Sequence, residues 1–147
     1  MYYLVLVQLG LMVFGIVNSQ GIYDNPCTLF DSPSRYFDKD GVMYLTVPVN
    51  CVSGDVYWNY PQGSIVLNAT RSSTDVYALC IDATQGTEFA GLWEITGGVE
   101  EALEIPTEEN GGVCIKNIRG EAAVKITAPS LRRYLTIFKY RIQYPAP

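Results

Sequence analysis

Apolar residues alternate with polar ones at a period of two through much of this chain, and this pattern is what most constrains the fold. Residues 55–60 place Val56, Trp58 and Tyr60 on one face, as a half-buried strand does. Similar short runs lie at residues 64–70, 76–82, 92–96, 112–118, 122–127 and 133–144. Turn sequences such as Asp-Gly and Asn-Gly-Gly separate the runs, and no long window has the spacing of an amphipathic helix. The pattern predicts an all-β sandwich.

Two of these runs also predict which side chains face the core. In residues 64–70, Ile65, Leu67 and Ala69 share one face, opposite Ser64, Val66, Asn68 and Thr70. In the last run one face is shared by Tyr134, Thr136, Phe138, Tyr140, Ile142 and Tyr144. We expect Asn68 to point away from the core. Because Asn68-Ala69-Thr70 is an N-glycosylation sequon, we expect a glycan on Asn68.

The amino terminus has the pattern of a secretory signal peptide. Residues 4–17 are an almost unbroken apolar run without a charged side chain, and the small-residue sequence Val17-Asn18-Ser19 follows. We predict a signal peptide over residues 1–19, cleaved after Ser19. The remaining residues, 20–147, are the size of one domain. The chain is therefore expected to be secreted and extracellular, with no membrane span after cleavage.

Four cysteines follow the predicted cleavage site, namely Cys27, Cys51, Cys80 and Cys114. An even number in an oxidising compartment predicts two disulfides, and four cysteines allow three pairings. Zinc is disfavoured, because the chain has no histidine and no Cys-x-x-Cys pair. We expect no metal or other cofactor.

The sequence Tyr60-Pro61-Gln62-Gly63 has the residues of a tight turn between two predicted strands. Pro in the second position and Gly in the fourth favour a short hairpin loop with a bulge. We interpret the aromatic residues before it mainly as core residues of the sandwich, although exposed aromatics could form a ligand platform.

Four segments together resemble the amino-terminal domain of the meteorin family. They are residues 56–68 (VYWNYPQGSIVLN), 79–81 (LCI), 113–114 (VC) and 138–142 (FKYRI). The resemblance implies a CUB-like antiparallel β-sandwich of jelly-roll type. It also implies sequential disulfides, Cys27 with Cys51 and Cys80 with Cys114. Family members carry a second, netrin-like domain, and we expect this chain to consist of the first domain alone.

The resemblance implies a secreted trophic or cytokine-like signalling factor that recognises a cell-surface receptor or another extracellular protein. The fold alone would equally support the alternative of a carbohydrate-binding or matrix-interaction module. The exposure of Trp58 and Trp93 distinguishes these functions, since tryptophans side by side on a solvated face favour sugar stacking. Catalysis is not expected, because the chain lacks histidine and no carboxylate pair lies in a recognisable motif.

Charge is distributed unevenly along a chain whose net charge is −5. Residues 20–115 carry three basic and fourteen acidic side chains, whereas residues 116–147 carry seven basic and one acidic. The basic residues are Lys116, Arg119, Lys125, Arg132, Arg133, Lys139 and Arg141. They could form a patch for a glycosaminoglycan or an acidic receptor surface, or an ordinary solvated face paired with acidic loops. Nucleic acid is not an expected partner of an acidic secreted protein.

The longest stretch without a strand pattern is acidic. We predict that residues 100–110 form a mobile loop that contacts a protein partner through Glu100, Glu101, Glu108 and Glu109. A calcium site between these carboxylates is the weaker interpretation, since no ligand spacing is evident, and the sequence Asp38-Lys39-Asp40-Gly41 fits a turn rather than an EF-hand.

Overall fold

A computed structural model shows a fold built from short β-strands. The structure describes residues 25–31, 41–59, 61–82, 88–107, 109–129, 131 and 134–145. The predicted signal peptide, the turn at residues 38–40 and Tyr60 lie outside these ranges. The secondary structure of these ranges consists of β-strands alone. They are β1 (Leu29–Phe30), β2 (Val42–Val47), β3 (Ser53–Asn59), β4 (Ser64–Thr70), β5 (Ala78–Asp82), β6 (Gly91–Thr96), β7 (Val99–Ala102), β8 (Gly112–Lys116), β9 (Glu121–Thr127) and β10 (Leu135–Gln143).

The strands form two five-stranded sheets that pack face to face. The first sheet has the order β1-β3-β10-β5-β8, and the second has the order β2-β4-β9-β6-β7. Neighbouring strands are antiparallel except in two pairs, β1 with β3 and β2 with β4, which are parallel. The expected all-β sandwich with two disulfides is therefore confirmed.

The core lies between the sheets and is filled by alternate residues of each strand. Trp58 of β3 and Phe138 of β10 are fully buried from the first sheet, and Ile65 and Leu67 of β4 are fully buried from the second. Burying a large apolar side chain stabilises a fold by roughly 1.5 to 3 kcal/mol. The inward faces predicted for residues 55–60 and 64–70 are thus confirmed at every described position.

The outward face of β4 is more buried than the alternation predicts. Ser64 and Val66 are only 8% and 6% exposed, although their side chains point away from the core. β4 is flanked on both sides, by β2 and β9, so neighbouring side chains cover its outer face. The Ser64 hydroxyl, for example, shares a hydrogen bond of 3.1 Å with the Thr127 hydroxyl.

The predicted hairpin around Pro61 and Gly63 is wrong. β3 and β4, the strands on either side of it, lie in different sheets, so the turn carries the chain from one layer of the sandwich to the other. Gly63 has a φ of 66°, and a Cβ there would lie 2.2 Å from the Gly41 carbonyl oxygen. Turn residues make the chain reverse, but they do not determine whether the next strand pairs with the last.

Two further details of the strands differ from the sequence pattern. Tyr134 and Tyr144 were predicted on the inner face of the last strand, but they are 79% and 46% exposed, because β10 begins after the first and ends before the second. β2 was not predicted, although Met43, Leu45 and Val47 alternate in sequence and all three are buried.

In the part of the chain that the structure describes, no helix is long and apolar enough to cross a membrane.

Candidate functional site: a cleft beside the turn from β8 to β9

The four cysteines form the two sequential disulfides, as expected. Cys27 is bonded to Cys51 and Cys80 to Cys114. The first bond ties the segment before β1 to the loop before β3. The second joins directly opposed residues of β5 and the edge strand β8. Paired cysteines are typical of an oxidising compartment.

The sequon asparagine lies on the outer face of the second sheet. Asn68 is flanked by Thr46 of β2 and Ala123 of β9, and its side chain is only partly exposed. Its Oδ1 atom is buried and has no hydrogen-bond partner among the described residues. Asn68 therefore points away from the core, but into a surface that its neighbours partly cover.

The acidic segment is only partly a loop. Glu100 and Glu101 belong to β7, the edge strand that pairs with β6, so the prediction of a loop from residue 100 is wrong. The reason is that all four residues of β7 are exposed, and an edge strand without a buried face gives no alternation signal. Glu109 is exposed in the turn that follows, and Glu108 lies outside the described residues.

The basic residues do not form one patch in the described part of the chain. On the outer face of the second sheet, the Lys125 ammonium lies 2.8 Å from Glu100 Oε1. On the outer face of the first sheet, Arg141 forms a bidentate ion pair with Asp82, and this hydrogen bonding raises the pKa of the guanidinium. Arg132 and Arg133 lie outside the described residues. The alternative of a solvated face paired with carboxylates therefore describes Lys125 and Arg141.

The two tryptophans lie in different layers. Trp58 is fully buried in the core. Trp93 lies on the outer face of the second sheet, where its ring covers Gly91 so closely that a Cβ at Gly91 would lie 2.0 Å from the ring. The Lys125 ammonium lies 5.9 Å from the centre of the same ring. The tryptophans therefore do not form a joint stacking platform.

A cleft of about 650 Å³ opens where β6 and β9 of the second sheet stop pairing, beyond Glu94 and Val124, next to the end of β8 of the first sheet. Its walls are the end of β6 with the turn into β7, the end of β8, and the turn from β8 into β9. Ile95 and Ile118 give it apolar surface, whereas Ile115 beside them is buried in the core. Its charged groups are two cations and two carboxylates, Lys116, Arg119, Glu94 and Glu121. This volume lies within the range of pockets that bind small ligands or peptide side chains.

Arg119 at the rim of this cleft has an unusual backbone conformation. Its φ is 53°, and it is the only non-glycine residue with a positive φ in the described ranges. Arg119 and Gly120 form a two-residue turn, which is closed by hydrogen bonds of 2.8 and 3.0 Å between Ile118 and Glu121. Such turns favour Asn or Gly, and a left-handed conformation costs other residues about 1 to 2 kcal/mol.

A buried network holds that turn in place. The Tyr77 hydroxyl lies 2.8 Å from the Ala69 carbonyl oxygen and 2.9 Å from that of Gly120, so its proton bridges β4 and the turn. Asn117 accepts a hydrogen bond from the Tyr77 backbone N–H and donates one to the Asp75 carbonyl oxygen. Burial raises the pKa of the Tyr77 phenol. The cleft wall that carries Arg119 is therefore rigidly supported.

A second, smaller cleft of about 420 Å³ lies between β1 and β2, which are edge strands of the two sheets. It contains the aromatic residues Phe30 and Tyr44. Phe30 stacks on Tyr57 at 5.2 Å between ring centres, and Tyr44 is 59% exposed. Neither cleft was predicted, because alternation shows which face of a strand is buried but not where strands diverge in space.

The sequence and the structure were also compared with known proteins. No protein-family model matches the chain, and no curated protein matches it. Among solved structures, the chain is similar to the pre-peptidase C-terminal domain of a collagenase from Bacillus anthracis. The similarity has a TM-score of 0.40 at 7% sequence identity, and it covers 69% of this chain and 94% of that domain.

Among the described residues, no group of three or more carboxylate or cysteine side chains is arranged to hold a metal ion.

Proposed function

We propose that this chain is a secreted, non-catalytic signalling factor of the meteorin type that binds a protein at the cell surface. The segments that carry the resemblance lie in β3, β4, β5, β8 and β10, five of the strands that build the sandwich. The disulfides have the pairing that the resemblance implies. Both observations support the proposal, although the hairpin that the motif suggested is a connection between sheets.

The observation that carries the proposal is the separation of the two tryptophans. Trp58 is fully buried and Trp93 lies on the outside of the other sheet, so they cannot sandwich or line up along a sugar chain. The larger cleft is lined by isoleucines and charged groups, without an aromatic residue. A rigid cleft with apolar and charged groups is suited to protein side chains.

A test uses residues 20–147 secreted from eukaryotic cells, biotinylated and added to cultured glial cells. We expect saturable binding that is lost when surface proteins are removed with trypsin and retained after heparinase treatment. The reduced and alkylated chain is the control, because it lacks the fold that the disulfides stabilise. Binding that resists trypsin would overturn the proposal.

The second cleft favours a different function, that of a carbohydrate or matrix module. Tyr44 and Phe30 are aromatic residues in an open groove, and such residues can stack on sugar rings. In the same cell assay this function predicts that heparinase, or another glycosidase, abolishes binding. It also predicts that Tyr44→Ala abolishes binding, whereas protein recognition at the larger cleft leaves Tyr44→Ala as active as the unchanged chain.

A further inference from the structure

The larger cleft has the chemistry of a peptide-binding site. We propose that it binds an extended peptide segment of the protein partner, in which an acidic side chain lies next to an aliphatic one. This inference rests on the proposed function, because it names the part of the partner that the chain recognises. It assigns the acidic side chain to Arg119 and Lys116 and the aliphatic one to the isoleucines.

The two cations of the cleft are available to a ligand. Lys116 and Arg119 are exposed, and neither makes an ion pair with another described residue. Lys125 and Arg141, by contrast, are each paired with a carboxylate of this chain. Arginine binds a carboxylate through two parallel hydrogen bonds, so an aspartate or glutamate of a partner is the expected counterpart of Arg119.

The rest of the lining favours a peptide over a sulfated sugar chain. Glu94 and Glu121 line the same cleft, so its two cations form no continuous basic surface of the kind that a polysulfated chain needs. The backbone of Gly97 and Gly98 in the turn after β6 leaves the cleft rim without side chains at two positions. The isoleucines offer an apolar surface that a polar polymer would not use. A single acidic side chain beside an aliphatic one satisfies both the cations and the isoleucines.

The backbone of Arg119 supports a role in binding rather than in folding. A left-handed residue in a two-residue turn is more stable as Asn or Gly, so folding alone gives no reason for an arginine here. Strained positions of this kind are enriched at functional sites. The Tyr77 hydroxyl donates a hydrogen bond of 2.9 Å to the adjacent Gly120 carbonyl oxygen, which anchors the turn that carries Arg119.

The test is selection of a random phage-displayed peptide library on the glycosylated chain. We expect the selected peptides to share an Asp or Glu next to Ile, Leu or Val. The affinity of a synthetic peptide of that sequence should fall at least about tenfold for Arg119→Asn. The melting temperature of Arg119→Asn should equal or exceed that of the unchanged chain, since Asn relieves the strain. Lys139→Gln, which removes an exposed cation of β10 that does not line the cleft, should bind the peptide normally.

Three results would overturn the inference. They are selected peptides without an acidic residue, equal peptide affinity of Arg119→Asn and the unchanged chain, and tight retention on heparin that Arg119→Asn loses.

The cell assay separates this inference from the proposed function. If Arg119→Asn binds cells normally and binding remains sensitive to trypsin, the cleft is excluded while protein recognition stands. If binding of the unchanged chain resists trypsin, the proposed function itself fails.

Discussion

The Tyr140 hydroxyl donates a hydrogen bond of 2.8 Å to the Cys27 carbonyl oxygen, which precedes it by 113 residues. This bond attaches the disulfide-bonded segment before β1 to β10, a central strand of the first sheet. Burial raises the pKa of the Tyr140 phenol from 10.0 to about 12. The contact therefore links the beginning of the described chain to its end through a group whose protonation matters at alkaline pH.

Replacing Tyr140 by Phe should change how stability depends on pH. Between pH 10 and about 12 the phenol of the unfolded chain ionises while that of the folded chain keeps its proton. The folded state then binds more protons, so the free energy of unfolding falls as pH rises, by up to about 1.4 kcal/mol per pH unit. Tyr140→Phe removes this contribution but leaves that of Tyr77, whose pKa is also raised.

At neutral pH the same substitution should destabilise the fold by roughly 1 to 3 kcal/mol, because the Cys27 carbonyl oxygen loses its donor. Urea unfolding at about pH 7, 9 and 11 measures both effects. Tyr44→Phe is the control, since Tyr44 is 59% exposed. Equal alkaline slopes for Tyr140→Phe and the unchanged chain would contradict the assignment of the raised pKa to Tyr140.

Gly54 should tolerate no side chain, because it lies beside the same contact. A Cβ there would lie 1.9 Å from the Cys27 carbonyl oxygen and 2.7 Å from the Tyr140 hydroxyl oxygen. We expect Gly54→Ala to lower the free energy of unfolding by roughly 1 to 3 kcal/mol, as overpacking does. Ser53→Ala, at an exposed position of the same strand, should leave it nearly unchanged. Thermal unfolding of the two variants decides the matter, and equal melting temperatures would exclude the clash.

The alternation of apolar and polar residues predicted which side chains face the core, but it did not predict which strands pair with each other. Burial of Trp58 and Phe138 follows from their spacing, because a strand presents alternate residues to opposite sides. Whether β4 pairs with β3 depends instead on β2 and β9, which lie elsewhere in the sequence. The spacing around Pro61 contains no information about those strands, and this is why the predicted hairpin failed.

The candidate site was harder to predict than the fold. The sequence identifies Arg119 and Lys116 only as members of a basic set, in which nothing distinguishes them from Lys125. Their separation arises because Glu100 of β7 neutralises Lys125, whereas the cleft provides no carboxylate within ion-pair distance of Arg119 among the described residues. The Arg-Gly turn was the available signal, since a two-residue turn with arginine at its first position is unfavourable.

Glycosylation of Asn68 remains a prediction, and the structure sharpens its test. We expect the chain secreted from eukaryotic cells to lose mass on treatment with an N-glycosidase. Thr70→Ala should abolish the loss and Thr70→Ser should preserve it, because Thr70 completes the sequon and is exposed at the end of β4. Neither change alters Asn68 itself. No mass change in the unchanged chain would remove support for a glycan on the outer face of the second sheet.

The acidic edge of the second sheet should govern the rate of association rather than stability. Glu101 of β7 and Glu109 in the following turn are exposed, and neither pairs with a described cation. Exposed charges contribute little to stability, so replacing both by Ser should leave the melting temperature within about a few degrees. They attract a basic partner over a distance that salt shortens, so the double variant should associate more slowly with cells at low salt. At high salt its rate should equal that of the unchanged chain.

Glu100→Ser is the matched control for this last prediction. The Glu100 carboxylate is already neutralised by the Lys125 ammonium at 2.8 Å. Removing it therefore leaves Lys125 unpaired. The net charge of the chain changes by one unit, as it does for Glu101→Ser or Glu109→Ser alone. If steering depends on the unpaired carboxylates, the double variant slows association more than twice as much as Glu100→Ser does. If only the total charge of this edge matters, each of the three substitutions has the same effect per charge. Association rates at low salt that are unchanged in every variant would exclude this edge as a contact surface.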